Sequence, residues 1–171
     1  PVIIDEKCEK EIETICRDTL IEISKQDWDS NELSWDFSKN ELVRINNGKN
    51  LDIEETVEGF IQIWKNKFIT LHKTEEYINK KFIAIYGLEN EVSPFVSLED
   101  VTILQNILNR NALIELTKKV KRNTTTFEIE DYYDIPLPFM VYEIISQFIS
   151  YFVGCMFGRF SLHKDGLILN N

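Results

Sequence analysis

Apolar residues recur at three- and four-residue steps through most of this chain. Ile12, Ile15, Cys16, Leu20 and Ile23 set that period first and predict an amphipathic helix over about residues 5–26. Asp29, Ser30, Asn31 and Ser34 then break it, leaving Trp28, Trp35 and Phe37 as the expected anchors of a loop. Asn46-Asn47-Gly48-Lys49-Asn50 reads as a turn and as the segment expected to pack least well. Asp52 with Glu55 three residues later has the spacing of a capping box. Behind it Ile53, Val57, Phe60, Ile61, Trp64, Phe68 and Leu71, then Ile78, Phe82 and Ile85, form one stripe. They predict a long helix reaching Tyr86 and stopped by Gly87, which suits a left-handed C-cap.

Val92-Ser93-Pro94 is a stop, and Ser97 with Asp100 is expected to begin a helix carrying Ile103, Leu104, Ile107, Leu108, Leu113 and Ile114. Residues 123–136 lack a helical period. Thr124-Thr125-Thr126-Phe127-Glu128-Ile129 has strand propensity, which gives a short strand or an ordered loop. Pro136 and Pro138 mark the start of a last helix over roughly 139–157. It is apolar on nearly every face and is expected to be the central, most buried one. At about 20 residues, Phe139 to Phe160 is long enough to span a bilayer. Glu143 and Gln147 lie within it and Arg159 near its end, and charge at depth is costly, so a core helix is the better account. The fold class is mainly α: a multi-helix bundle with a long central amphipathic helix, a buried C-terminal helix and at most one short strand or hairpin.

Composition adds limits. A chain of 171 residues with 43% hydrophobic residues can bury a core and form a single helical domain, 1–171. It starts at Pro1 without a methionine and stops at Asn170-Asn171, as an excised fragment of a larger protein would. The net charge of −10 opposes a broad DNA-binding surface, because phosphate contact needs clustered cations. Cys8, Cys16 and Cys155 show no metal spacing, and Cys8 and Cys16 stand too far apart along a helix to pair. Reduced, packed thiols in a cytoplasmic protein follow. No signal peptide is read at the start. Asn123-Thr124-Thr125 has the form of a glycosylation acceptor, without meaning in the cytosol.

Candidate chemistry is sparse. Glu54, Glu55 and Glu58 cluster, but a solvated helix face explains them. Di-iron bundles need Glu-x-x-His, and neither His72 nor His163 has a glutamate three residues before it. Asp5-Glu6-Lys7 matches a minimal nuclease triplet but is expected to open a helix, with no partner acid in view. Lys118, Lys119, Lys121 and Arg122 form the one basic run. It either complements the negative end of a helix or touches phosphate in a larger enzyme. Gly154 and Gly158, four apart on an apolar helix closed by Arg159, are expected to let a neighbouring helix approach closely.

The most distinctive stretch is Ile149-Ser150-Tyr151-Phe152-Val153-Gly154-Cys155-Met156-Phe157-Gly158-Arg159-Phe160-Ser161-Leu162, followed by Asp165-Gly166-Leu167-Ile168. It resembles the "I-S-Y-x-V-G-C-M-F-G-R-Y-S-L-D … G-L" block of large adenine-specific DNA methyltransferases, those of BREX-type phage defence and the related type IIG restriction-modification enzymes. Pro1-Val2-Ile3-Ile4-Asp5 resembles the segment just after their methylase core. Ile23-Ser24-Lys25-Gln26-Asp27-Trp28-Asp29-Ser30 and Ser34-Trp35-Asp36-Phe37 are similar to "I-S-K-x-D-W-D-S-F-E-T-S-W-D-F". Glu75-Glu76-Tyr77 through Phe82-Ile83-Ala84-Ile85-Tyr86-Gly87-Leu88 is similar to "E-E-L-N-x-x-F-I-x-x-Y-G-L", and Asp100-Val101-Thr102-Ile103 to "D-V-T-I". Phe160 and His163 replace the commoner tyrosine and aspartate, and residues 105–137 match poorly.

The resemblance implies a parent enzyme that moves a methyl group from S-adenosylmethionine to adenine N6 in DNA. The Asn/Asp-Pro-Pro-Tyr/Phe signature that holds the flipped adenine is missing, since Pro1, Pro94, Pro136 and Pro138 are never adjacent. No strand with a Gly-rich turn stands ready for the cofactor either. The segment is therefore expected to be catalytically silent and to bind no cofactor itself. It would join the methylase core to the target-recognition domain of the same chain, meeting DNA through the parent and touching no membrane. The alternative is a free-standing acidic helical module that binds a basic protein. An enzyme with its own pocket has no residue constellation behind it.

Overall fold

The computed structural model describes residues 6–122, 129 and 132–168, with side chains from residue 9 onward. The fold is mainly α, as the periodicity predicts. Its elements are α1 (Glu6–Ile15), a π-helical turn (Cys16–Ile21), α2 (Glu22–Asp29), α3 (Glu41–Asn46), α4 (Ile53–Tyr86), α5 (Arg110–Lys119) and α6 (Val141–Met156). Short 3₁₀ turns occupy Leu98–Asp100 and Tyr132–Asp134. Backbone proximity groups the chain into two compact units. One comprises 1–24, 66–102 and 110–136, the other 25–65, 103–109 and 137–171.

The capping box forms as read. The Glu55 amide donates to Asp52 Oδ1 at 2.8 Å and the Asp52 amide to Glu55 Oε2 at 3.1 Å, satisfying two donors at the start of α4. At the far end Gly87 takes φ of 65°. Its amide donates to Ala84 O at 3.3 Å and that of Leu88 to Ile83 O at 3.0 Å, the bond pair of a Schellman stop. Along the stripe Val57, Phe60, Trp64, Phe68 and Leu71 are buried. Removing side chains of this size from water stabilises by about 1.5–3 kcal/mol each. The ends of the stripe depart from expectation: Ile53 is 52% and Phe82 46% exposed.

The unit containing 25–65 centres on Phe37, Tyr151 and Phe160. Phe37 meets Tyr151 and Phe160 edge-on, at centroid distances of 5.9 and 5.3 Å, while Tyr151 and Phe160 stack at 5.2 Å. Tyr151 O–H donates to Ser161 O at 3.2 Å, and burial pushes the phenol pKa up. Asn40 caps α3, accepting from the Leu42 amide at 3.0 Å. Asn46 Nδ2 ties the following turn back through Leu51 O at 2.8 Å. That turn uses left-handed backbone at Asn47, Gly48 and Asn50. Trp28 and Trp35 do not anchor the loop: they are 67% and 100% exposed, and Phe37 does the anchoring.

The helix expected from Ser97 is broken up. A 3₁₀ turn at Leu98–Asp100 gives way to irregular backbone, and α5 begins only at Arg110. Leu104 sits at φ of 56°, where its amide donates to Asp27 Oδ1 at 3.0 Å. Arg110 Nη1 donates to the carbonyls of Glu99 and Val101, at 3.1 and 2.9 Å. Those side-chain bonds supply what helical bonds would have supplied. Leu108 then bridges antiparallel to Phe139. The strand reading of 124–129 falls outside the described residues except at Ile129, which bridges antiparallel to Arg122.

The last helix is buried on one face only. Ile144 and Tyr151 are buried, while Tyr142, Ile149, Phe152, Val153 and Met156 are 42–73% exposed. Its all-round apolar composition exceeds what the described residues cover. Among the described residues, no helix is long and apolar enough to cross a membrane.

Candidate functional site

The densest polar construction gathers on α4 and three later segments of the same unit. His72 and Glu76 lie one turn apart on α4, next to Leu71, and both are buried. Nε2 of His72 lies 2.8 Å from Val96 O. A carbonyl only accepts, so Nε2 carries the proton, and Nδ1 of the neutral ring accepts from Tyr132 O–H. Arg122 closes on Glu76 with two bonds, Nη1 to Oε2 at 3.1 Å and Nη2 to Oε1 at 2.7 Å. Glu76 Oε1 also accepts the Val96 amide at 3.1 Å. The guanidinium lies 4.2 Å from the centre of the Phe95 ring.

The electrostatics follow from burial. Desolvation lowers the His72 pKa, outweighing the Val96 carbonyl and the Glu76 charge that favour protonation. Desolvation and then the Glu76 charge push the Tyr132 phenol up. Glu75, on the same helix, is raised by desolvation and by Asp100. A neutral imidazole held between a carbonyl and a phenol, beside a saturated carboxylate, positions segments rather than moving protons. The cluster pins the 93–98 loop and the 122 and 132 segments onto α4. A cavity of about 400 Å³ adjoins it, lined in part by Thr19, Lys73, Tyr77, Lys80 and Tyr132. A second, of about 680 Å³, lies in the other unit, and its two cations are already paired: Lys39 with Asp165 at 3.0 Å, Arg44 with Glu41 at 2.7 Å.

Of the basic run, Lys118, Lys119 and Lys121 are exposed and Arg122 is half-buried. Lys118 and Lys119 occupy the last turn of α5, where they complement its negative end. Lys118 also pairs with Glu115 at 2.7 Å. Lys119 and Lys121 are exposed, whereas Arg122 is committed to Glu76. The glycine pair is divided as well. Gly154 lies in α6 against the Phe160 ring, while Gly158 lies beyond the helix at φ of 75°, with open space where a Cβ would stand. Arg159 is exposed, with its guanidinium 5.0 Å from the Phe160 ring centre. What stands against the glycine is therefore an aromatic ring four residues past the helix end.

Glu54, Glu55 and Glu58 are all exposed, in keeping with a solvated face. No group of three metal-binding side chains occurs among the described residues. Cys16 and Cys155 are free of disulfides. Asp5 and the side chains of Glu6, Lys7 and Cys8 lie outside the described residues, as does Asn123-Thr124-Thr125. The His72–Glu76–Arg122 cluster was missed from sequence. Its one local signal is the His-x-x-x-Glu spacing on the buried side of α4.

The left-handed glycines Gly48, Gly87, Gly158 and Gly166 lie in turns, none between a strand and a helix among the described residues. No protein-family model matches the chain. No solved structure matches it either. Two proteins do. The adenine-specific methyltransferase PglX of Lacticaseibacillus casei (strain Zhang) is 32% identical over 154 residues, which is 88% of this chain. The adenine-specific methyltransferase BrxX of Escherichia coli O9:H4 (strain HS) is 30% identical over 148 residues, or 86% of this chain. The chain spans about a tenth of the length of these relatives, 10% in each case. Nearly all of this helical chain is thus related to a short segment of the BREX-type adenine-specific methyltransferases.

Proposed function

We propose that this chain is a non-catalytic helical scaffold of an adenine-specific DNA methyltransferase, linking a methylase core to a target-recognition region. One observation carries the reading: the likeness covers 86–88% of this chain yet only 10% of each relative. Meanwhile the sequence has no adjacent prolines with which to hold a flipped adenine. In that setting the parent enzyme transfers methyl from S-adenosylmethionine to adenine N6 in DNA. The chain contributes shape rather than reacting groups. Its charge of −10 fits a part that leaves phosphate contact to other regions.

The purified chain is expected to give no heat of binding when titrated with S-adenosylmethionine at micromolar concentration, and to transfer no methyl group to DNA. Saturable cofactor binding would overturn the non-catalytic reading.

A further inference from the structure

We infer that the uncovered face of α6 is an intramolecular docking surface, covered by another domain of the longer methyltransferase chain. The inference rests on the scaffold reading above and names the surface it uses. Tyr142, Ile149 and Met156 are seven residues apart and align along α6, flanked by Phe152 and Val153. They are 64%, 55%, 73%, 48% and 42% exposed, and Phe157 just beyond is 85% exposed. From Ile144 to Gly158 the chain carries no charged residue, so the polar groups on this helix face are the Ser146 hydroxyl and the phenol of Tyr142. Ser150 Oγ, beside the face, donates to Glu32 Oε2 at 3.2 Å. That bond brings alongside it the loop bearing Leu33 and Trp35, which are 86% and 100% exposed.

A fully exposed aromatic side chain presents about 150–250 Å², so at the fractions above Tyr142, Phe152 and Phe157 leave roughly 300–500 Å² bare, and Ile149, Val153 and Met156 extend that beyond the few hundred Å² of apolar patch normal on a monomer. Its scale is that of an interface between domains of one chain, about 600–1,500 Å² in total. An obligate homodimer generally needs about 2,000 Å² or more, which argues against a second copy. The relatives supply the occupant, because this chain corresponds to 10% of their length and nine-tenths of their mass lies outside it. The partner surface is apolar and uncharged, as the face itself is.

Peroxide oxidation of Met156, read by mass spectrometry, tests this. It is measured in the isolated chain and in L. casei PglX carrying this chain in place of its matching segment. Met156 is expected to react as an exposed thioether in the isolated chain and at least tenfold more slowly in the long protein. Equal rates would overturn the docking surface. So would protection in the isolated chain that grows with its concentration alongside a dimer in sedimentation, which would assign the face to a second copy. Methyl transfer by the hybrid, assayed in parallel, separates the two claims. An active hybrid with a reactive Met156 sinks this inference alone. An inactive hybrid with Met156 covered leaves the docking surface standing and counts against the scaffold reading.

Discussion

Arg122 grips both carboxylate oxygens of Glu76 across 46 residues of sequence, at 3.1 and 2.7 Å. The side chains are 22% and 8% exposed, so most of the pair is out of water. Removing one partner of such a pair leaves the other desolvated and unpaired, which costs about 3–5 kcal/mol. Arg122→Ala is expected to destabilise the chain on that scale in urea denaturation. Arg122→Lys is expected to recover only part, because an ammonium cannot reproduce the two-pronged contact. A loss under about 1 kcal/mol for Arg122→Ala would show that the grip contributes little.

The pH dependence has a defined sign. His72 is buried neutral, with its pKa lowered below 6.5 by desolvation. As pH falls through 6.5 the unfolded chain takes up a proton that the folded chain refuses, so stability present above that pH is lost below it. The melting temperature is expected to drop between about pH 7.5 and 5.5, and to drop less in His72→Gln. Glu75 works the other way. Its pKa is raised above 4.5, so its ionised form at neutral pH is a burden on the fold. Glu75→Gln is expected to raise the melting temperature at neutral pH, with the gain vanishing below pH 4.5. Parallel pH profiles for all three proteins would contradict both assignments.

A Cβ at Gly154 would stand 2.7 Å from Cδ2 and 3.0 Å from Cε2 of Phe160. The ring is 2% exposed and packs on Phe37 and Tyr151, so it has little room to yield. Gly154→Leu is expected to destabilise by about 1–3 kcal/mol. Adding Phe160→Leu is expected to cost less than the sum of the two single changes, since the clash is between those side chains. An unchanged denaturation midpoint for Gly154→Leu would contradict the contact.

Duplex DNA is expected to bind the isolated chain at or beyond the weak end of about 10⁻⁴–10⁻⁶ M at physiological salt. The informative variant in a full-length enzyme is Lys118, Lys119 and Lys121 together to glutamine. Arg122 is left intact because its loss would disturb the fold through Glu76. If those lysines touch phosphate, binding weakens alike on all sequences and its salt dependence flattens. Tight, sequence-selective binding by the chain alone, in a gel shift at two salt concentrations, would make it a recognition domain instead.

Legibility in the sequence followed the range of the forces involved. Asp52 with Glu55, and Gly87 after Tyr86, act within one helical turn, and both were readable. The α4 stripe was readable through Leu71 because its period is local. The break at Leu104 was not, because it depends on the Asp27 carboxylate 77 residues away. Arg122 looked like one cation among four for the same reason. The last helix misled differently: an apolar sequence states that a face avoids water, and does not state whether this chain or another domain covers it. Met156 and Phe157 carry that distinction.

The proposed scaffold shapes a methyltransferase without forming its cofactor site. The most direct measurement is made on L. casei PglX lacking the stretch that matches this chain, by S-adenosylmethionine titration and a DNA methylation assay on one preparation. The shortened enzyme is expected to bind the cofactor as the intact one does and to lose methyl transfer to DNA. Cofactor binding abolished by the deletion, or methylation continuing at an unchanged rate and specificity, would contradict the claim.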